Sequence, residues 1–220
     1  MVPFFIFILL KSAPFKEIIF FKQSYTCPST QNPSKMKYLF SILTLLLAFG
    51  SNAQLTIEGV TLPATLKASS TELVLNGGGL REKYFLDLYV GGLYLKSKST
   101  NANAIIKADE SMAIRIEIVS KLISSDKMVE AIEEGMEKST GGKTEELSQE
   151  IKDFKSAFSE AIVVGDIYNL VYVPGDGLTI YKNNKKVKTI KGLKFKQAAF
   201  GIWLCDDPAD EDLKEGMLKG

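Results

Sequence analysis

Alternating apolar and polar positions dominate the chain between residues 55 and 119, and they predict a series of β-strands. The clearest case is residues 112–119, where every second residue is apolar, the period of a strand with one buried face. The segments 55–60, 72–75 and 84–95 predict three earlier strands.

Glycines interrupt this part of the pattern at two places. Residues 76–79 read Asn-Gly-Gly-Gly, which predicts a turn that ends the second strand. Gly91 and Gly92 lie inside the third strand, where adjacent glycines predict a bulge or a close approach by another group.

The apolar period changes to that of a helix between residues 124 and 158. Ser124 or Ser125 can cap a first helix that ends at Thr140-Gly141-Gly142, and Thr144 can cap a second. The apolar residues of each helix fall on one face, as expected for helices that pack on a sheet. These residues are Met128, Val129, Ile132 and Met136 in the first helix, and Leu147, Ile151, Phe154 and Phe158 in the second.

Strands return after residue 166 and a helix closes the pattern. Segments 167–173, 178–181 and 186–190 are separated by Pro-Gly-Asp-Gly and Asn-Asn turns. A helix is predicted over residues 194–204, with Trp203 on its core side, and a short amphipathic segment follows at 210–218. This order predicts an α+β domain with a mainly antiparallel sheet and helices on one face.

The N-terminal region has the composition of a targeting sequence. Met36-Lys37 precedes an apolar run and the small residues Ser51 and Ala53, which predicts a signal peptide over residues 36–53, cleaved before Gln54. Residues 1–35 are then interpreted as an over-long upstream segment, with the first part of a bipartite presequence as the alternative. Residues 54–220 are interpreted as a single domain. The expected location is the periplasm or the extracellular space.

Composition narrows the possible chemistry of residues 54–220. They contain 22 basic and 25 acidic side chains, a net charge of −3. This balance lacks the excess of basic charge that is typical of nucleic-acid-binding domains. The chain has no histidine, which removes histidine bases, histidine-assisted nucleophiles and histidine-ligated metals. Cys205 is the single cysteine after residue 53, so no disulfide framework and no zinc site are expected. No cofactor motif is recognised.

Three segments resemble the chalcone isomerase-like family. The longest is Leu75 to Leu95, in which a glycine-rich turn and Arg81 precede an apolar strand ending in Gly-Leu-Tyr-Leu. The opening segment Gly59 to Pro63 and the closing segment Ala198 to Leu204 resemble the exported bacterial branch of that family. The resemblance covers residues 54–220 and implies an open-faced β-sandwich, in which helices cover one face of a large antiparallel sheet above a ligand cleft.

The same resemblance implies two site residues. Arg81 falls at the family arginine, which holds a phenolate in plant isomerases and a carboxylate in fatty-acid-binding relatives. Tyr89 falls where plant isomerases have threonine and where the fatty-acid-binding relatives have tyrosine. The plant enzymes also use a tyrosine and an asparagine from the first helix, where this chain has Ser125 and Ile132. That departure argues against flavonoid chemistry.

A guanidinium is charged at every physiological pH and matches a carboxylate through two parallel hydrogen bonds. Arg81 could instead be a surface arginine paired with Glu82 or Asp87, and Tyr89 an ordinary sheet aromatic. The two residues are eight positions apart, about 26 Å along a straight strand. They can share a site only if the chain turns or bulges between them.

Three functions remain open on this basis. The first is a binder of a fatty-acid-like or other apolar carboxylate at Arg81 and Tyr89. The second is an isomerase, of the intramolecular lyase type, acting on an unsaturated and possibly phenolic compound with the same two residues. The third is a non-catalytic envelope interaction protein, which a solid core beside Arg81 would favour. The oligomeric state is left open.

Overall fold

The computed structural model describes residues 54–220, so the predicted signal peptide and upstream segment lie outside the described residues. A seven-stranded antiparallel sheet forms the framework, and its strands are adjacent in chain order. They are β3 (Thr65–Ala68), β4 (Thr71–Lys83), β5 (Leu86–Leu95), β6 (Met112–Ile118), β7 (Ile167–Val173), β8 (Gly177–Lys182) and β9 (Lys185–Ile190). A separate two-stranded hairpin precedes them, formed by β1 (Leu55–Ile57) and β2 (Val60–Leu62).

Five α-helices accompany the sheet within residues 54–220. They are α1 (Ala102–Lys107), α2 (Ser125–Thr140), α3 (Ser148–Ser156), α4 (Leu193–Leu204) and α5 (Glu211–Met217). The predicted caps of α2 are confirmed, because the Ser124 side chain accepts a hydrogen bond from the Lys127 amide and Gly141 closes the helix at φ 60°. Within residues 54–220, no helix combines the length and apolar character needed to cross a bilayer.

The main core lies between the sheet and the helices. Every second residue of the central strands points toward this side, including Ile114, Ile116, Leu170 and Ile180. Helical side chains such as Phe154, Phe195 and Phe200 cover them, and the phenyl ring of Phe154 meets that of Phe195 edge to face at 5.6 Å. The predicted α+β fold, an antiparallel sheet with helices packed on one face, is therefore confirmed.

The predicted turn at residues 76–79 is wrong, because β4 continues through the three glycines, with a bulge at Asn76. Helix α5 packs so closely on this part of β4 that a side chain at Gly77 or Gly79 would collide with it. A Cβ on Gly77 would be 2.3 Å from the Gly216 carbonyl oxygen, and a Cβ on Gly79 would be 3.1 Å from Leu213 Cα. The close approach predicted at Gly91 is confirmed, since a Cβ there would be 2.8 Å from the Met217 methyl group.

Three other boundaries differ from the prediction. The segment 55–60 is two strands joined by a turn at Glu58 and Gly59, both with positive φ. Tyr84 and Phe85 form a turn instead of the start of the third strand. Thr144 precedes a 3-10 turn at Glu145–Leu147 instead of α3 itself, and its side chain makes no capping hydrogen bond. Strands β6 to β9 and helices α4 and α5 follow the predicted pattern closely.

Candidate functional site

The β4–β5 hairpin brings Arg81 and Tyr89 together. The chain reverses at Tyr84 and Phe85, so the two residues become direct partners across the ladder. The central carbon of the Arg81 guanidinium lies 5.5 Å from the centre of the Tyr89 ring, within the range of a cation–π contact. The separation of eight residues along the chain is therefore no obstacle to a shared site.

A β-bulge next to this pair shapes the wall of a cavity. Arg81 pairs with Tyr89 and Glu82 pairs with Asp87, so Leu88 is an extra residue on β5. Consecutive strand residues normally point to opposite faces. Because of the bulge, Leu88 and Tyr89 both line the same cavity.

The cavity lies between this hairpin and helix α2 and has a volume of about 320 Å³. That volume is at the lower end of the range for small-molecule sites. Its charged lining consists of three basic side chains (Arg81, Lys83 and Lys127) and two acidic ones (Glu130 and Glu134). Its other lining side chains are Tyr84, Leu86, Leu88, Tyr89, Leu122, Ile123, Met128 and Ala131.

Arg81 is the buried charge of this cavity, with only 9% of its surface exposed. Its Nε atom is buried and has no hydrogen-bond partner. Neither Glu82 nor Asp87 pairs with it, and no other carboxylate of residues 54–220 lies within 4.0 Å of the guanidinium. The surface ion pair that the sequence leaves open for Arg81 is therefore absent from the described part of the chain.

Tyr89 connects the cavity to the core. The residue is 2% exposed, and its hydroxyl accepts a 2.8 Å hydrogen bond from Nε1 of Trp203 in α4. Accepting this bond leaves the phenolic proton available as a donor, and no acceptor for it lies among residues 54–220. Sequence reasoning assigned Trp203 only to the core, because its spacing in an apolar helix carries no signal of this contact.

The two helix positions at which plant isomerases carry polar side chains have structural roles here. The Ser125 hydroxyl donates a 2.6 Å hydrogen bond to the Phe158 carbonyl oxygen. This bond connects the start of α2 to the residues that directly follow α3. Ile132 is buried in the core and does not line the cavity. Helix α2 lines the cavity instead through its neighbouring face, which includes Lys127, Met128 and Ala131.

Sequence reasoning did not find these α2 residues. Lys127 is an ordinary charged residue of a first helical turn, and Ala131 lies between two predicted core positions. The face of α2 that borders the cavity depends on how the helix crosses the sheet, and this is a tertiary property.

A crystal structure of an Arabidopsis thaliana fatty-acid binding protein has the same fold, with a TM-score of 0.61 and 21% sequence identity, over 75% of this chain and 95% of that one. No curated protein sequence matches this chain. The sequence profile of the family described as chalcone isomerase-like matches residues 53–219. The chain therefore belongs to the chalcone isomerase-like family.

Proposed function

We propose that this protein is an exported binder of fatty-acid-like carboxylates, with the carboxylate at Arg81 and the tail in the neighbouring cavity. The observation that carries the proposal is the burial of an arginine without an acidic partner among residues 54–220. A buried charge is costly unless it is paired and hydrogen-bonded. A ligand carboxylate would supply the missing partner.

Arg81 suits this role better than the two lysines of the cavity. Lys83 and Lys127 are exposed, and an ion pair at such a position adds little because water screens it. Glu130 and Glu134 place negative charge on the α2 side, which disfavours an anion there. The carboxylate is therefore expected on the strand side, against the buried guanidinium and within reach of the Tyr89 hydroxyl.

The tail would supply most of the affinity. A carboxylate hydrogen-bonded to a guanidinium contributes about 1.5–3 kcal/mol. Each methylene removed from water contributes about 0.8 kcal/mol, so a dodecanoate tail could gain roughly 9 kcal/mol if it were fully buried. Arg81 would then set the orientation of the ligand and its preference for acids.

Two further points support this function over the others. A solid core beside Arg81 would have favoured an interaction protein, whereas a cavity lies at that position. The similar crystal structure belongs to a protein described as fatty-acid binding, and its fold is the same.

The single tryptophan of the chain offers a direct assay, because Trp203 touches Tyr89 at the cavity wall. We expect dodecanoate to change the tryptophan emission with a roughly micromolar dissociation constant, after the cost of immobilising the ligand is subtracted. Native mass spectrometry of the gently purified protein should also show bound acids of this class. A protein that carries no acid, and whose emission is unaffected by any fatty acid offered, would contradict the proposal.

A further inference from the structure

Helices α2 and α4 cross at close range. Each helix contributes one buried glycine to the crossing, Gly135 from α2 and Gly201 from α4. A Cβ on Gly201 would lie 2.7 Å from the Cβ of Ser139, and a Cβ on Gly135 would lie 2.8 Å from a methyl group of Ile202. Carbon atoms in ordinary contact are about 3.5–4.0 Å apart. The two glycines therefore bring the helices closer than a larger residue at either position would allow.

Side-chain rotation cannot make room for a methyl group at this crossing. The Cβ of Ser139 is bonded directly to the α2 backbone, so it moves only with the helix. Ile202 is β-branched, and such a side chain is held to essentially one χ1 rotamer in a helix. An alanine in place of either glycine would therefore push α2 and α4 apart by roughly 1 Å.

The crossing lies next to the cavity. Glu134, which lines the cavity, is adjacent to Gly135 in α2. On the α4 side, Trp203 follows Gly201 by two residues and donates its hydrogen bond to Tyr89, which lines the hairpin wall of the cavity. Because α4 holds Tyr89 and α2 forms the facing wall, the spacing of the two helices sets the width of the cavity.

The start of α2 is fixed separately from this crossing. The Ser125 hydroxyl is bonded to the Phe158 carbonyl oxygen at 2.6 Å. Separation at the crossing would then tilt α2 about its N-terminal end, and the cavity-lining residues Ala131 and Glu134 would move away from the hairpin. The cavity would widen, while the buried guanidinium of Arg81 would keep its place on β4.

We propose that the α2–α4 crossing at Gly135 and Gly201 restricts the ligand to acids with a single unbranched chain, because it holds the cavity too narrow for a bulky tail. The inference rests on the proposed function, since it concerns the ligand of the same cavity. A volume of about 320 Å³ suits a slender ligand. An extended chain contacts both walls of a narrow cavity, whereas a cage of the same carbon number needs the walls further apart.

The test compares dodecanoate with adamantaneacetate by isothermal titration calorimetry. Both acids have twelve carbons and one carboxylate, so pairing with Arg81 is common to them and the ratio of their affinities reports the shape of the tail. We expect the wild type to bind dodecanoate more tightly. Gly201→Ala should reduce this preference about fivefold, because the extended tail loses contact with one wall while the cage gains room.

Further variants separate the width of the cavity from the stability of the helix. Ser139→Gly weakens α2 through the low helix propensity of glycine but adds nothing to the crossing, so its preference should equal that of the wild type. The double variant Gly201→Ala/Ser139→Gly should restore the wild-type preference, because the added Cβ then faces the Cα of residue 139 at 3.7 Å. Gly135→Ala should act as Gly201→Ala does, and it serves in its place if that variant does not fold.

An unchanged preference in the alanine variants would overturn the inference, as would a wild type that binds the two acids equally tightly. An equal loss of preference in Ser139→Gly and Gly201→Ala would also overturn it, because the effect would then follow helix stability. In each of these cases dodecanoate binding by the wild type leaves the proposed function intact. A wild type that does not bind dodecanoate would instead contradict the proposed function.

Discussion

The indole N–H of Trp203 donates a 2.8 Å hydrogen bond to the hydroxyl of Tyr89, whose ring lies beside the guanidinium of Arg81. This contact links helix α4 to the β4–β5 hairpin through the wall of the cavity. Because both partners are buried, the bond holds the Tyr89 ring in place. The hydroxyl accepts this bond and keeps its own proton as a donor.

Tyr89→Phe tests this link, since it keeps the ring and removes the hydroxyl. The buried indole N–H then loses its acceptor, so the free energy of unfolding should fall by about 1–2 kcal/mol. Affinity for dodecanoate should fall a few-fold, because a donor to the carboxylate is removed. Chemical denaturation and the tryptophan fluorescence titration measure the two effects.

Tyr181→Phe is the matched control, because Tyr181 is half-buried on β8 and its hydroxyl makes no hydrogen bond within residues 54–220. Its stability should stay within about 0.5 kcal/mol of the wild type. If Tyr89→Phe were as stable as this control, the hydrogen bond with Trp203 would contribute nothing to the free energy of unfolding.

Ala131→Trp tests whether the cavity holds the ligand. Ala131 is a half-buried residue of α2 on the cavity wall, and a tryptophan side chain there would occupy much of the space. We expect dodecanoate affinity to fall by about tenfold or more, because a tail that loses several buried methylenes loses more than 1.4 kcal/mol. Thermal melting should show that the variant is folded.

Ala161→Trp is the control, at an exposed position away from this cavity, and it should bind dodecanoate as the wild type does. Unchanged dodecanoate affinity in Ala131→Trp would place the ligand elsewhere.

Gly77→Ala tests the close packing of α5 on β4. The added methyl group would lie 2.3 Å from the Gly216 carbonyl oxygen, and backbone on both sides leaves it little room to move. We expect a loss of about 3 kcal/mol in the free energy of unfolding. Gly59→Ala is the comparison, because its added methyl meets nothing within 4 Å and only its positive φ is unfavourable, at about 1 kcal/mol. Equal losses in the two variants would show that α5 does not lie against β4 as described.

Lys196 is a buried cation whose pH response can be predicted. Its ammonium group donates to the carbonyl oxygens of Ile105, Ile106 and Ala108 at 2.6–3.1 Å, at the end of α1. It also lies 5.4 Å from the centre of the Tyr172 ring. Burial lowers the pKa of Lys196 to about 8, against the opposing effect of nearby carboxylates.

The folded protein therefore releases this proton near pH 8, whereas the unfolded chain keeps it until about pH 10.5. Between these values the unfolded state binds more protons, so the contribution of Lys196 to stability rises with pH. We expect the stability of the wild type relative to Lys196→Met to increase across this window, measured by urea denaturation at several pH values. A difference that is constant or falls with pH would show that the pKa of Lys196 is not lowered.

The apolar pattern and the turn signals between segments were enough to predict β6 to β9, α2 and α4. Helix α2 buries a single face, whereas β7 and α4 are buried almost all round and were recognised by their apolar content. The course of β4 through Gly77 to Gly79 could not be predicted in this way. Glycines in a row favour a turn locally, and only the passage of α5 over the strand makes them a requirement of packing.

The site itself depends on features that no local pattern records. Tyr84 and Phe85 read as strand residues, so the turn that pairs Arg81 with Tyr89 carries no turn signal. Lys196 looks like the polar residue of a helix surface, and α1 is what buries it. Arg81 and Tyr89 were named from a family resemblance, whereas the register and bulge that join them appear only in three dimensions.

The most direct test of the account compares dodecanoate with dodecanol in the wild type and in Arg81→Met, using Trp203 emission. The account predicts that Arg81→Met weakens dodecanoate binding about 10- to 100-fold and leaves dodecanol binding nearly unchanged, because only the acid pairs with the guanidinium. Arg115→Met, which removes the other arginine of residues 54–220, should bind both ligands as the wild type does. Equal binding of dodecanoate by the wild type and Arg81→Met would contradict the central claim.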